Sequence, residues 1–187
     1  IWGILNECAS DTAYGRECYK TQLELIKSLD VTRPRSFSSC RFKTDICFDL
    51  VDVVSYNIYP KWYHNTPVAM YLDDLYKWVQ TTGGAGKPFL ITEVGAGAIY
   101  GYRTPAKVKW SEEYQVLALE EQLGAILSYK DCSGVYIWQF CDVRVTNDWW
   151  NTRPRTMNNK GIVDEYRRPK LSYETVKRIF GSVDTYR

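Results

Sequence analysis

The chain has 187 residues, which is long enough for one domain with a hydrophobic core. Hydrophobic residues make up 45% of it, charged residues make up 25%, and the formal net charge is +2, so the composition indicates neither a nucleic-acid partner nor an anionic membrane surface. No apolar run approaches the roughly 20 residues that are needed to span a bilayer.

Segments typical of strands and helices alternate along the chain. The strand segments are short and apolar, and the helix segments carry apolar residues at helical spacing. This alternation predicts an α/β fold in which helices cover a parallel sheet. In chain order the predicted elements are strand Ile1–Leu5, helix Ala13–Leu29, strand Arg35–Ser39, strand Val51–Tyr56, helix Pro67–Val79, strand Phe89–Thr92, helix Ser111–Tyr129, strand Gly134–Phe140 and helix Pro169–Phe180.

Two glutamates stand where predicted apolar strands stop. Glu7 follows the first strand, and Glu93 follows the strand that begins at Phe89. Either residue alone is more simply explained as a helix cap or a solvated side chain. Together they match the requirement of retaining glycoside hydrolysis, in which one carboxylate is the nucleophile and the other is the acid and then the base, with the carboxyl groups about 5–5.5 Å apart.

The strand spacing fits part of a (β/α)8 TIM barrel, in which one unit takes about 31 residues. The interval from Glu7 to Glu93 is close to three units, and the interval from Glu93 to Gln139 is one unit plus an insertion. The chain is therefore predicted to run from about strand 4 to strand 8 of a barrel and through its final helix. A doubly wound sheet is the competing architecture, but no Gly-x-Gly-x-x-Gly motif follows a predicted strand.

The cysteines and the single histidine argue against a zinc site and against serine or cysteine nucleophile chemistry. No Cys-x-x-Cys pair is present, and His64 lies in a loop without a nearby Gly-x-Ser-x-Gly motif. At this chain length, reduced buried thiols are expected rather than a disulfide framework. The six cysteines are Cys8, Cys18, Cys40, Cys47, Cys132 and Cys141.

A series of short motifs runs along nearly the whole chain. The motifs are Asn6-Glu7, Leu29-Asp30-Val31-Thr32-Arg33-Pro34, Asn57-Ile58-Tyr59-Pro60-Lys61-Trp62-Tyr63, Ile91-Thr92-Glu93-Val94-Gly95, Trp110-Ser111-Glu112-Glu113-Tyr114-Gln115, Trp138-Gln139-Phe140-Cys141-Asp142, Asn158-Asn159-Lys160-Gly161-Ile162 and Arg168-Pro169-Lys170. Each motif is weak alone, but together and in this order they resemble the catalytic domain of glycoside hydrolase family 2, and within it the β-glucuronidases.

The resemblance implies a role for each matching residue. Glu93 is the expected nucleophile and Glu7 the expected acid and base, with Asn6 on the sugar 2-OH. No cofactor and no metal are expected to take part. The remaining residues expected to bind substrate or to orient the nucleophile are Tyr59, Tyr63, Trp138, Asn158 and Lys160.

The expected substrate is a β-D-glucuronide, because the family's Asn-x-Lys motif contacts the C6 carboxylate of the sugar and is matched here by Asn158 and Lys160. Arg153 and Arg155 could add positive charge. The sequence departs from the family's pattern at Pro154, where an arginine is expected. That departure leaves room for a β-galacturonidase. A β-galactosidase of the same family and a non-catalytic carbohydrate-binding fragment are further alternatives.

Ile1 already lies inside a predicted strand, without a preceding Met or leader, so the chain is interpreted as a fragment of a longer protein. Residues 1–187 are expected to form the C-terminal portion of a catalytic barrel domain, without the earlier strands and any β-sandwich domains, and to be inactive or poorly folded alone. The expected partner is a glycoside substrate, with no nucleic acid and no membrane, and a homo-oligomer is possible for the full-length parent. The N-terminus does not define the location; the cytoplasm is the default expectation.

Overall fold

The computed structural model describes residues 1–183, and their backbone falls into two compact units. Within this described part, no helix is long and apolar enough to cross a membrane. All six cysteines carry free thiols, and only Cys47 is buried. Unit 1 comprises Ile1–Ile58, Ala69–Thr92 and Ile126–Tyr136, and unit 2 comprises Tyr59–Val68, Glu93–Ala125 and Ile137–Arg187.

Unit 1 is built around a five-stranded sheet whose spatial order follows the sequence, β1-β2-β3-β4-β5. The first two neighbouring pairs are parallel, as the alternation of strands and helices predicts. Five apolar segments were predicted as strands, and all five are strands of this sheet. Their bounds are β1 Trp2–Asn6, β2 Arg35–Ser39, β3 Val54–Asn57, β4 Phe89–Val94 and β5 Cys132–Ile137.

Helix α1 (Ala13–Leu29) of unit 1 has the predicted bounds, and local chemistry marks its N-terminus. Thr12 is the N-cap, and its hydroxyl accepts a hydrogen bond from the backbone N–H of Gly15 at 3.0 Å. The helix buries Tyr19 against Phe37 of β2, with ring centroids 4.5 Å apart. This contact joins the helix to the sheet and forms part of the hydrophobic core.

Only β2 has both predicted strand ends; the largest differences, of three residues each, are the start of β3 and the end of β5, and each has a reason visible in the backbone. The segment from Val51 to Val53 stays outside β3, because the N–H groups of Asp52 and Val53 both donate to the carbonyl of Arg35. Strand β5 ends at Ile137 rather than at Phe140, because Gln139 exchanges backbone hydrogen bonds with Lys160 and Ile162 in a loop of unit 2.

Unit 2 has an aromatic core in which Trp62, Ala96 and Ala118 are buried together. A two-stranded antiparallel ribbon, absent from the prediction, lies between the last strand of the sheet and the final helix. The remaining elements are helices α2 (Val68–Thr81, almost wholly in unit 1), α3 (Glu112–Ser128) and α4 (Leu171–Gly181), and the ribbon strands β6 (Val143–Arg144) and β7 (Met157–Asn158).

Candidate active site

Glu7 lies directly after β1, where the backbone leaves the regular strand. Its φ is +53°, a left-handed conformation that is uncommon outside glycine and is found disproportionately at functional sites. Its backbone N–H donates to the carbonyl of Ser38 at 2.9 Å, which keeps the residue beside β2. The side chain is exposed, and its Oε1 accepts a hydrogen bond from Asn57 at 2.9 Å.

Asn57 organises this end of unit 1, and the sequence analysis did not assign it a role. It is buried at the end of β3, and its Nδ2 donates to Oδ1 of Asn6 and to Oε1 of Glu7, both at 2.9 Å. Its Oδ1 accepts from the hydroxyl of Thr92 at 2.8 Å. Because its Nδ2 faces two acceptors and its Oδ1 faces a donor, the orientation of the Asn57 side-chain amide is fixed. A polar residue at the end of an apolar strand, the signal that selected Glu7, would also have selected Asn57.

Glu93 lies near the end of β4 and belongs to unit 2. Its side chain is half-buried, and its Oε2 accepts a hydrogen bond from the hydroxyl of Tyr59 at 2.5 Å. The predicted contact between a phenol and this carboxylate is therefore present. A Cβ on Gly95 would lie 2.3 Å from the carbonyl oxygen of Trp138, so glycine is required where the chain leaves the strand.

Lys160 is 3% exposed and lies among aromatic rings in unit 2. Its Nζ is 5.0 Å from the ring centroids of Tyr59 and Tyr63 and 5.5 Å from that of Trp62. It also donates a hydrogen bond to the hydroxyl of Tyr63 at 3.0 Å. Burial lowers the pKa of Lys160 below that of an ordinary lysine, although Tyr63 and Glu93 favour its charged form. No salt bridge to Lys160 is present within residues 1–183.

The hydroxyl of Tyr63 accepts from two cations, Lys160 and Arg153, the latter at 3.2 Å. Burial of this group would raise its pKa, but the two cations outweigh that effect and hold the pKa of Tyr63 below its usual range. Arg155, the other arginine considered from the sequence, instead forms an ion pair with Glu165 at 2.5 Å. Arg153 is therefore the arginine that adds positive charge beside Lys160.

Asn158 ends β7, and its Oδ1 accepts a hydrogen bond from the backbone N–H of Lys160 at 3.2 Å. The two residues of the Asn-x-Lys motif are thus joined in one turn. Trp138 follows β5 and is 38% exposed, so it is not part of the hydrophobic core. Its backbone N–H donates to the carbonyl of Val94 at 2.9 Å. Its expected role as the floor of the sugar site stays a prediction.

A buried ion pair supports the turn that carries Lys160. Lys170 and Asp142 are 2.8 Å apart, and neither side chain is exposed. Lys170 also donates to the carbonyl of Asn159 at 3.0 Å, and Asp142 accepts from the N–H of Gly161 at 2.8 Å. Burial raises the pKa of Asp142 to about 6, although Lys170 opposes the shift. The sequence suggested only a capping or loop role for Asp142, and no local signal marked Lys170 as its partner.

The predicted site residues therefore form two groups, one in each unit. Asn6 and Glu7 are joined through Asn57 in unit 1. Unit 2 holds the other group, which consists of Tyr59, Tyr63, Glu93, Asn158 and Lys160, and also Trp138.

Within residues 1–183, no group of three or more His, Cys, Asp or Glu side chains could hold a metal ion.

Comparison with known proteins identifies the family. The family model described as glycosyl hydrolases family 2, TIM barrel domain, matches residues 1–185. The chain is 33% identical over 184 residues to the β-glucuronidase of Rattus norvegicus and 31% identical over 182 residues to that of Homo sapiens. These matches cover 92% and 91% of this chain but only 27% and 26% of the relatives, so the chain spans about a quarter of their length.

Solved structures give the same family. A family 2 β-galacturonidase from Eisenbergiella tayi, bound to galacturonate, is 73% identical with a TM-score of 0.98, and the match covers 100% of this chain and 34% of that one. A β-D-glucuronidase from Dictyoglomus thermophilum is 26% identical with a TM-score of 0.88, over 98% and 32% of the two chains. The five-stranded sheet is accordingly part of a TIM barrel, as predicted, and the chain belongs to family 2 of the glycosyl hydrolases.

Proposed function

We propose that the protein containing this chain hydrolyses β-D-uronides with retention of configuration. The observation that carries the proposal is Lys160, a cation that is 3% exposed and has no salt bridge within residues 1–183. Burying a charge without a salt-bridge partner is costly, and the surrounding rings and the field of Glu93 offset only part of that cost, so Lys160 is suited to an anion supplied by a ligand. The C6 carboxylate of a uronic acid supplies that anion, whereas a neutral hexose does not.

The two glutamates take the roles that retaining hydrolysis requires. The Glu93 carboxylate attacks the anomeric carbon and forms the covalent glycosyl-enzyme, while Glu7 gives its proton to the departing oxygen. Glu7 then removes a proton from the water that attacks the anomeric carbon and releases Glu93. The hydrogen bond from Tyr59 orients the nucleophile, and the hydrogen bond from Asn57 orients the acid and base.

Asn6 and Asn158 complete the proposed recognition of the sugar. Asn6 forms a hydrogen bond with the 2-OH of the sugar, a contact that strengthens in the transition state of glycoside hydrolysis. Asn158 lies in the same turn as Lys160 and takes the carboxylate with it. An amide and an ammonium together provide enough donors for both oxygens of one carboxylate.

Two uronides are candidate substrates, and different observations favour each. The β-glucuronidases of mammals, at 28–33% identity, support a glucuronide. The Eisenbergiella tayi enzyme, at 73% identity over the whole chain, supports a galacturonide, as does the departure from the family pattern at Pro154. Because its identity is more than twice as high, we expect the galacturonide to be the better substrate.

The test uses the intact parent protein with aryl β-D-galacturonide, β-D-glucuronide and β-D-galactoside. We expect kcat/KM to be highest for the galacturonide, and Lys160→Met to lower kcat/KM for both uronides by about 10- to 100-fold without lowering that for the galactoside. Lys77→Met, at an exposed lysine paired with Asp73, is the matched control. Equal losses on uronide and galactoside would refute carboxylate recognition by Lys160. Sugar binding without turnover of any substrate would favour the non-catalytic alternative.

A further inference from the structure

Buried side chains hold the turn that carries Lys160 on both sides of that residue. Lys170 donates to the carbonyl of Asn159 at 3.0 Å, and Asp142 accepts from the backbone N–H of Gly161 at 2.8 Å. A Cβ on Gly161 would lie 2.3 Å from the backbone nitrogen of Asp142, so the turn rests directly against that residue. Neither the Lys170 nor the Asp142 side chain is exposed. The two neighbours of Lys160 are therefore held by one buried ion pair.

Gln115, on helix α3, is a further buried residue that binds this turn. Its Nε2 donates to the carbonyl of Gly161 at 3.0 Å and to that of Ala96 at 2.8 Å. Its Oε1 accepts from the hydroxyl of Ser172 at 2.7 Å, so the orientation of the side-chain amide is fixed. The residue is 0% exposed. Loss of the amide would remove hydrogen bonds from the carbonyls of two buried residues, which is costly.

The same side chains also bind the segment that follows Glu93. Lys170 donates to the carbonyl of Ala98 at 2.6 Å, and Gln115 donates to that of Ala96. Ala96 and Ala98 come soon after Glu93 in the chain. The chain that leaves the proposed nucleophile is therefore joined to the turn that carries the buried cation. We call these three side chains the cradle: Lys170, Asp142 and Gln115.

Lys170 and Lys160 are buried lysines of different kinds. The ammonium of Lys170 has three donors. They bind Oδ1 of Asp142 and the carbonyls of Asn159 and Ala98. Lys160, in contrast, has no salt bridge within residues 1–183. Lys170 is therefore a structural cation, whereas Lys160 remains suited to a ligand.

We propose that the cradle positions Lys160 at the distance from Glu93 that a uronide requires, so that its members determine substrate specificity without touching the substrate. The inference rests on the proposed function. The pyranose ring holds the C6 carboxylate at a set distance from the anomeric carbon, so the cation and the nucleophile must be held apart by a matching distance. A misplacement of about 1 Å can cost about 100-fold in rate. A galactoside has no carboxylate, so its hydrolysis does not depend on where Lys160 lies.

The test measures kcat/KM of the intact parent protein for the better aryl uronide and for the aryl galactoside, and takes the ratio of the two. Because both substrates are measured on one preparation, a loss of folded protein cancels in the ratio. Gln115→Met removes the amide without changing the charge. The double variant Lys170→Met/Asp142→Asn releases the carbonyls of Asn159 and Ala98 and leaves no buried charge without its partner.

Gln122→Met is the matched control. Gln122 is also 0% exposed and also lies on α3. Its Nε2 donates to the carbonyls of Pro60 at 2.7 Å and Gly95 at 3.3 Å. Both Gln115 and Gln122 thus bind the segment that follows Glu93, but the hydrogen bonds of Gln122 do not reach the turn that carries Lys160.

We expect Gln115→Met and the double variant each to lower the ratio of uronide to galactoside kcat/KM about tenfold. Gln122→Met should leave the ratio unchanged, even where it lowers both values. In a protein that already carries Lys160→Met, Gln115→Met should lower the ratio no further, because the cradle acts only through Lys160. A purely structural role of the cradle would lower both kcat/KM values equally and leave the ratio as it is in the wild-type protein.

An unchanged ratio in Gln115→Met would overturn the inference, and this variant alone decides if the double variant does not fold. Equal effects of Gln115→Met and Gln122→Met on the ratio would overturn it as well, as would a further loss in the Lys160→Met background. In each of these cases Lys160→Met alone still lowers the ratio, and the proposed function stands. If Lys160→Met leaves the ratio unchanged, or the wild-type protein hydrolyses no uronide, the proposed function fails, and the inference fails with it.

Discussion

The two units hold their glutamates in different ways. In unit 1, Glu7 is exposed, has a left-handed backbone, and receives a hydrogen bond from the buried amide of Asn57. In unit 2, Glu93 is half-buried and receives a hydrogen bond from Tyr59, with the buried cation Lys160 acting on it electrostatically. A neutral amide suits a carboxyl group that must gain and lose a proton, whereas a nearby cation favours a carboxylate that must remain ionised.

The most direct test of this difference is to replace each glutamate with glutamine. Glu93→Gln should lower kcat about a thousandfold or more for every leaving group, because no nucleophile remains. Glu7→Gln should strongly lower the rate of the first chemical step for a methyl uronide. The loss should be much smaller for a 2,4-dinitrophenyl uronide, because its leaving group departs without protonation. Steady-state and burst kinetics with the two substrates measure the difference.

Folding of both variants is checked by their thermal unfolding midpoints, which should match that of the wild-type protein. If Glu93→Gln retained turnover of the dinitrophenyl uronide and Glu7→Gln did not, the two roles would have to be exchanged. A similar loss on both substrates in the Glu7 variant would remove the evidence for an acid at that position.

A finer distinction concerns the residues that hold the two glutamates. Asn57→Ala removes the hydrogen bonds to both Asn6 and Glu7, and we expect kcat to fall about 10- to 100-fold, more for poor leaving groups than for good ones. Tyr59→Phe removes one hydrogen bond to Glu93 and should lower kcat about tenfold for all leaving groups alike. The dependence of kcat on the pKa of the leaving group separates the two effects.

Tyr14→Phe, at a tyrosine that is 83% exposed, controls for the loss of a phenol hydroxyl and should have no effect. The same dependence on leaving group in Asn57→Ala and Tyr59→Phe would contradict the separate roles. Unfolding midpoints are needed for the asparagine variant in particular, because Asn57 is buried and also accepts from Thr92.

The sequence predicted those parts of the molecule that depend on local pattern. Helix α1 and strand β2 have the predicted bounds, and the apolar spacing that predicted α1 is a local signal. Glu7 and Glu93 were found for the same reason, since each follows an apolar run. The pairing of Asp142 with Lys170 could not be predicted, because it joins residues from separate segments and depends on the path of the chain between them.

The smallest expected effect is a change of KM with pH that follows the charge of Lys160 in unit 2. Burial lowers the pKa of Lys160, and a neutral lysine no longer attracts a carboxylate. The KM for a uronide should therefore rise about tenfold as the pH increases through this lowered pKa, at lower pH than an ordinary lysine would require. The KM for a galactoside should stay flat. Initial rates measured across alkaline pH, with both substrates, test the prediction.

Three charged or titratable groups act on Lys160, and their effects on KM must be distinguished from the titration of Lys160 itself. Tyr63 and Glu93 favour the charged form of the lysine, and Arg153 opposes it. The pKa of Tyr63 is lowered, so this tyrosine also loses its proton at a lower pH than an ordinary one. The resulting phenolate would repel the substrate carboxylate and would likewise raise KM. Tyr63→Phe should keep the rise in KM if Lys160 causes it, and Lys160→Arg should abolish the rise, because arginine stays charged throughout. An unchanged rise in Lys160→Arg would assign the titration to a group other than Lys160.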